Sequence, residues 1–435
     1  MTVAPIEQTE PAPDLAAAIV RKVGWRLIPF MALLYFVNYL DRVNVSFAAL
    51  TMNQDLDFSP EVYGNGAGIL FLGYFLFQVP SNVALHKFGT HAVIMPIMIV
   101  WGLVSTAMAF VSGPVSFYVL RFLLGAAEAG FFPGMILYLT YWFPEAARGR
   151  VAGAFLLAIP ISNVLGAPAS TAFLGIDALG IAGWQWLFIL QGVPAILLGL
   201  FVPHMLTDTP AKAAWLTEAE KSWLSSTLAA EHRADDPAQR TSVRQALLDI
   251  RVWVFALIYF STVIGFYGIT MWLPQIVKGF GGLTNQQVGF LTAVPYLFAA
   301  AGMYIVGVHS DRTGERTWHV AIPALIGGIG LAGSAALGAH PALAFIALAV
   351  AATGIYSVIP VFWTLPTRVL AGVAAASGIA LINAVGNIGG YVGPALVGYV
   401  RQSTQSYSYA LLTLAGFALL AAVLAVVAGG RRPTS

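Results

Sequence analysis

The chain contains no cysteine, which excludes disulfide frameworks, thiolate catalysis and cysteine-ligated metals. It is also poor in charge: Asp, Glu, Lys and Arg make up 9% of its 435 residues, where soluble domains carry about 25%. The formal net charge is +2 and the basic residues do not cluster, so there is no electrostatic footprint for nucleic acid. The seven histidines fall near the ends of apolar runs or between them, without metal-ligand spacing. Neither a G-x-S-x-G elbow nor a P-loop occurs. Nothing here supports an enzyme, and no cofactor or metal is expected.

What the chain does have is apolar length. Hydrophobic residues make up 58% of it and the mean hydropathy is +0.79, which marks an integral membrane protein. A helical span needs about 20 mostly apolar residues. On that measure twelve spans are predicted, at about 25–50, 62–85, 90–112, 115–143, 149–175, 184–204, 251–277, 286–309, 317–338, 341–368, 374–400 and 407–429. The expected fold is all-α, with two six-helix halves at 21–204 and 251–429. Between them, 205–250 is the one long polar stretch, and Thr217-Glu-Ala-Glu220 reads as a capping box opening a short amphipathic helix. Residues 1–20 are acidic, contain proline and lack aromatics, so disorder is expected there. The tail 430–435 is a short polar end, and no cleavable leader is expected.

Basic residues give the orientation. With the N-terminus inside, every Lys and Arg other than Arg42, Arg121, Lys278 and Arg401 falls on the cytoplasmic side, as the positive-inside rule requires. Both termini and 205–250 are then cytoplasmic, in a plasma membrane of bacterial type. A monomer would suit this layout.

Four ionisable residues interrupt the apolar runs: Asp41 and Arg42 in span 1, and Arg121 and Glu128 in span 4. Placing a charge at the bilayer centre costs at least about 2.5–3.5 kcal/mol, so such residues mark substrate or proton paths. Arg42 and Arg121 lie at similar depths, and a guanidinium offers carboxylates a planar fork. Arg121 and Glu128 are two helical turns apart on one face, about 10 Å along the axis, while Asp41 and Arg42 point about 100° apart. Neither arrangement makes a good pair within its own helix, so partners must come from other helices or water. Low dielectric favours a neutral acid and a neighbouring arginine favours the carboxylate, the tension a proton carrier needs. Asp41 and Glu128 are the expected coupling acids, with the proton as coupling ion. The second half holds neutral candidates: Tyr356, Ser357, Trp363, Thr364, Asn383 and Asn387, the two asparagines sharing a helix face. Tyr39 and Tyr74 are expected to reach the same cavity.

The loop Gly307-Val-His-Ser-Asp311-Arg312-Thr-Gly314-Glu-Arg316 resembles the signature loop of the major facilitator superfamily. An acid and two arginines at a helix end suit a clasp that holds the cytoplasmic side shut. Asp311, Arg312 and Arg316 are its expected members, with Arg148 on the same gate. The corresponding loop between spans 2 and 3, Pro80 to Gly89, lacks the acid. Further motifs resemble the anion:cation symporter family of that superfamily: Tyr39-Leu-Asp41-Arg42-Val-Asn44, Gly73-Tyr74-Phe-Leu-Phe-Gln78-Val-Pro80-Ser-Asn82, Arg121 to Gly134, Tyr141-Trp-Phe-Pro144, Trp272-Leu-Pro274, Phe362 to Thr367 and Gly378 to Asn387. That resemblance implies proton-coupled uptake of a sugar acid, hydroxy acid or aromatic carboxylate by alternating access. Arg42 and Arg121 would orient the anion. Proton-driven efflux of drugs or metabolites and organic-anion exchange are the alternatives, and two deep arginines weigh against a cation as cargo.

Overall fold

A computed structural model describes residues 13–234, 247–370 and 373–429. Hydrocarbon offers the backbone no partner, so each apolar stretch must satisfy its own N–H and C=O groups as a helix. Among the described residues twelve helices are long and apolar enough to span: Leu15–Asp55, Pro60–Leu85, Ala92–Phe110, Pro114–Trp142, Glu145–Phe173, Gly183–Met205, Ile250–Lys278, Asn285–Thr313, Trp318–Ala336, Pro341–Thr367, Ser377–Thr404 and Tyr407–Gly429, here spans 1 to 12. Local chemistry sets their ends. Ser59 caps span 2 by accepting from the Val62 amide at 3.2 Å. Thr284 and Gln287 cap span 8 reciprocally. Gly314, with φ +69°, closes span 8 in the left-handed conformation that favours glycine.

The first helix corrects the expectation of disorder through residue 20. It begins at Pro13, because Ile19, Val23 and Leu27 recur every fourth residue and all three are buried. Residues 1–12 and 430–435 lie outside the described residues.

Three spans are broken by proline. Span 4 divides into Pro114–Glu128 and Phe131–Trp142, span 5 into Glu145–Leu156 and Ala158–Phe173, and span 10 into Pro341–Phe362 and Thr364–Val369. Pro133, Pro160 and Pro366 follow these breaks; each ring lacks an amide hydrogen and crowds the carbonyl four residues before it. The first break falls immediately after Glu128.

The polar connection folds beneath the first half. Its helix, Glu218–Ala234, opens with the expected capping box: the Thr217 amide donates to Glu220 at 2.8 Å, and the Glu220 amide to the Thr217 hydroxyl at 3.3 Å. Lys22 pairs with Glu220 at 2.7 Å. That ammonium and the Thr217 amide hold the Glu220 carboxyl below the usual carboxylate range. Trp215 stacks on Trp142 with centroids 5.4 Å apart.

The two halves meet at the end remote from this linker. Tyr63 donates to the Met271 carbonyl at 2.5 Å, Asn53 to Gln275 at 3.3 Å and Tyr391 to Asn65 at 3.2 Å. Spans 2 and 11 touch through Gly64 and Gly398; a Cβ on Gly64 would sit 2.6 Å from the Pro394 carbonyl oxygen. Gly289 of span 8 packs as closely on Ala167 and Thr171 of span 5. Small residues let the backbones approach this far. The result is a bundle shut at one end and split at the linker end. The cysteine-free sequence makes this closure directly testable. Asn53→Cys/Gln275→Cys should consume both thiols with a short bifunctional thiosulfonate and lose nearly all uptake, and a reductant should restore it. Two thiols that stay separately reactive would show that this end does not close as described.

Candidate functional site

A cavity of about 570 Å³ lies between the halves and opens toward the linker end. Its walls are Tyr35 and Arg42 of span 1, Phe71, Tyr74, Gln78 and Asn82 of span 2, Phe132 to Thr140 of span 4, Tyr259 and Tyr267 of span 7, and Asn383 and Asn387 of span 11. Among the described residues on these walls Arg42 alone carries a formal charge.

Arg42 reaches across to span 4. Its Nε and Nη2 both donate to Oε2 of Glu128, at 3.1 and 2.8 Å. The pair joins two helices, as the poor geometry within each helix required. It is lopsided: both bonds fall on one oxygen, and Oε1 of Glu128 is buried without a partner. The guanidinium also sits 5.2 Å from the centre of the Tyr74 ring.

Asp41 points the other way, into span 3. It accepts from Asn44 at 2.7 Å, from the Trp101 indole and from the Ser105 hydroxyl, and it is fully buried away from the cavity. Arg121 is fully buried too. Its Nε and Nη2 donate to the Gly66 and Ala67 carbonyls of span 2 at 3.2 and 3.1 Å, and Nη1 has no partner.

The expected site residues thus divide. Arg42, Tyr74, Asn383 and Asn387 face the cavity, and Glu128 is tied to it through Arg42. Asp41, Arg121, Tyr39 and Trp363 are not on its walls. Tyr39 is buried with its hydroxyl unpartnered, and Trp363 packs edge-on against Tyr259 at 4.8 Å. Tyr356 bonds Thr270 at 2.7 Å, while Ser357 and Thr364 bond back to their own helix. Gln78, Asn82, Tyr35 and Tyr267 were missed as wall residues. The signal was present: Tyr74, Gln78 and Asn82 repeat every fourth residue, and Tyr35 precedes Arg42 by seven, so each set shares a face.

The expected gate is not assembled. Arg316 pairs with Asp311 within its own loop at 2.6 Å, and Arg148 pairs with Glu231 of the linker helix at 2.7 Å. Among the described residues no hydrogen bond or ion pair joins Arg148 to Asp311, Arg312 or Arg316.

The two acids should respond differently to neutralisation. Asp41→Asn presents an amide N–H₂ to groups that already donate, which should cost about 1–3 kcal/mol as a lowered thermal transition. Glu128→Gln keeps an oxygen for Arg42 and should cost less. Equal losses would contradict the hydrogen-bond assignment at Asp41.

Comparison with known proteins agrees with this architecture. The model of the Major Facilitator Superfamily matches residues 31–394. A protein of Agrobacterium vitis named "Putative tartrate transporter" is 50% identical over 421 residues, 97% of this chain and 93% of its own. A "Quinolone resistance transporter" of Acinetobacter baumannii is 41% identical over 415 residues, 95% of each chain. Among solved structures, a bacterial homologue of the human lysosomal transporter Spinster, inward-facing and occupied, superposes with a TM-score of 0.75 at 16% identity, covering 97% of this chain and 98% of that one. With twelve spans, a central cavity and these relatives, the chain is a multi-pass membrane transporter, not an enzyme, and belongs to the Major Facilitator Superfamily.

Proposed function

We propose that this transporter couples the uptake of a small hydroxylated carboxylate to protons, through Arg42 and Glu128. The observation that carries the reading is the lopsided pair: the one formally charged group on the cavity wall is held by an acid that keeps an unpartnered oxygen. A substrate carboxylate arriving at Arg42 competes with Glu128 for the guanidinium. Displaced into a dry core, the Glu128 carboxylate is costly to bury unpaired and takes up a proton. Ionised, Asp41, Arg42, Arg121 and Glu128 sum to zero, so a monoanion needs one proton, and a dianion such as tartrate two, to leave the loaded carrier neutral. Tyr74, Gln78, Asn82, Asn383 and Asn387 supply donors and acceptors for hydroxyl groups. The tartrate in the name of the Agrobacterium vitis relative fits this chemistry. The excess of Lys and Arg in the loops at the linker end supports a cytoplasmic linker and cytoplasmic termini in an inner membrane. The cavity is then in its inward-open state.

Efflux of an aromatic compound is the second reading. Tyr35, Phe71, Phe132, Tyr259 and Tyr267 give the cavity an aromatic wall, and the Acinetobacter baumannii relative is named for quinolone resistance.

Proteoliposomes with an inward proton gradient should accumulate labelled tartrate. Glu128→Gln should cut that accumulation about tenfold or more, in the range of a typical coupling free energy, while tartrate counterflow survives. Arg42→Lys gives up the planar fork and should weaken half-saturation by about 10–100-fold, the worth of one charge-assisted bond. Accumulation that persists unchanged after the gradient is collapsed would sink the symport reading. Gradient-driven loss of a preloaded aromatic compound, without tartrate uptake, would establish the second.

A further inference from the structure

A second cavity, of about 740 Å³, lies outside the transport site, between the linker end of span 1 and the start of span 5. Its walls are mostly apolar, with Ala17, Val20, Gly24, Ile28, Pro29 and Val151 among them, and two arginines, Arg21 and Arg150, also line it. No acidic residue does. The neighbouring basic residues make a contrast. Lys22 is neutralised by Glu220 and Arg148 by Glu231, both from the linker helix. Arg21 and Arg150, which face the groove, have no carboxylate partner among the described residues. Trp25, on the same wall, is 77% exposed, as suits an indole at the boundary between headgroups and acyl chains.

We infer that this groove binds an anionic phospholipid from the leaflet at the linker end, its phosphate between Arg21 and Arg150 and an acyl chain along the apolar wall. Basic pockets between helices on the cytoplasmic side suit such headgroups. A small polyhydroxylated anion is a poor fit, since beyond the two guanidiniums the lining side chains offer it only the Trp25 indole N–H. The seven-residue spacing of Arg21, Ile28, Tyr35 and Arg42 places the groove on the same face of span 1 as the transport cavity. An occupant there would sit beside the split between the halves.

The test is native mass spectrometry of the full chain with added phosphatidylglycerol or phosphatidylethanolamine. The wild type should retain phosphatidylglycerol preferentially. Arg21→Gln/Arg150→Gln should retain about thirtyfold less of it, the effect of two surface charges, with phosphatidylethanolamine unchanged. Arg21→Lys/Arg150→Lys keeps the charge and should keep most of the binding, which separates lost attraction from lost folding. Equal retention of phosphatidylglycerol by the wild type and the Gln variant would overturn the assignment. So would inorganic phosphate that displaces the lipid at equal concentration, because the groove would then be an anion vestibule.

Discussion

The ion pair between Arg42 and Glu128 is the constraint on which the rest of the structure depends. It ties span 1 to span 4 at 2.8 Å within the membrane. Glu128 is wholly buried while Arg42 faces the cavity, so the ionised carboxylate is the partner that is costly to leave alone. The walls around it follow from that cost. Aromatic rings exclude water from one side, Tyr74 covers the guanidinium, and Glu128 sits where only Arg42 reaches it. Arg121 and Asp41 are arranged differently. Each is held by neutral groups, helix carbonyls at two of the three guanidinium nitrogens of Arg121 and three donors at Asp41. Two ionisable residues therefore hold the scaffold while two stand at the cavity.

Much of this was legible in the sequence. The span limits agree with the observed helices within a few residues except at the start of span 1, since hydrophobic length is a property of the chain alone. The face shared by Asn383 and Asn387 was equally readable. Which way Asp41 and Arg121 turn was not: periodicity relates side chains within one helix and says nothing of that helix's rotation against its neighbours. Trp101 and Ser105, four residues apart on span 3, are donors that capture Asp41, and in sequence they look like an ordinary apolar span with two adjacent hydroxyls. The extent of Arg121 burial was hidden for the same reason, because Gly66 and Ala67 expose their carbonyls only where span 2 packs on span 4.

The gate residues illustrate a different limit. Motif and charge placed Asp311, Arg316 and Arg148 at the linker end, and they are there. Their partners are set by how the spans pack. With the far end closed through Tyr63, Asn53 and Gly64, the linker end is split, and Arg316 pairs with Asp311 and Arg148 with Glu231. The sequence pattern puts these charges at one end of the bundle and leaves their pairing to the packing.

The break in span 4 divides that helix into two parts with different anchors. Above it, Gly125 abuts the Leu70 carbonyl and Gly73 abuts that of Phe122, so the segment ending at Glu128 is locked to span 2 by backbone contact. Below it, Tyr138 and Trp142 both bond the Thr207 carbonyl at the head of the linker, at 2.6 and 3.1 Å. The joint between them, at Ala129 and Gly130, lacks the hydrogen bond that Pro133 cannot make, and Pro133 itself faces the cavity. The upper segment keeps the acid in register with Arg42, while the lower one is keyed to the linker, so the joint separates the anchorage of the acid from that of the linker.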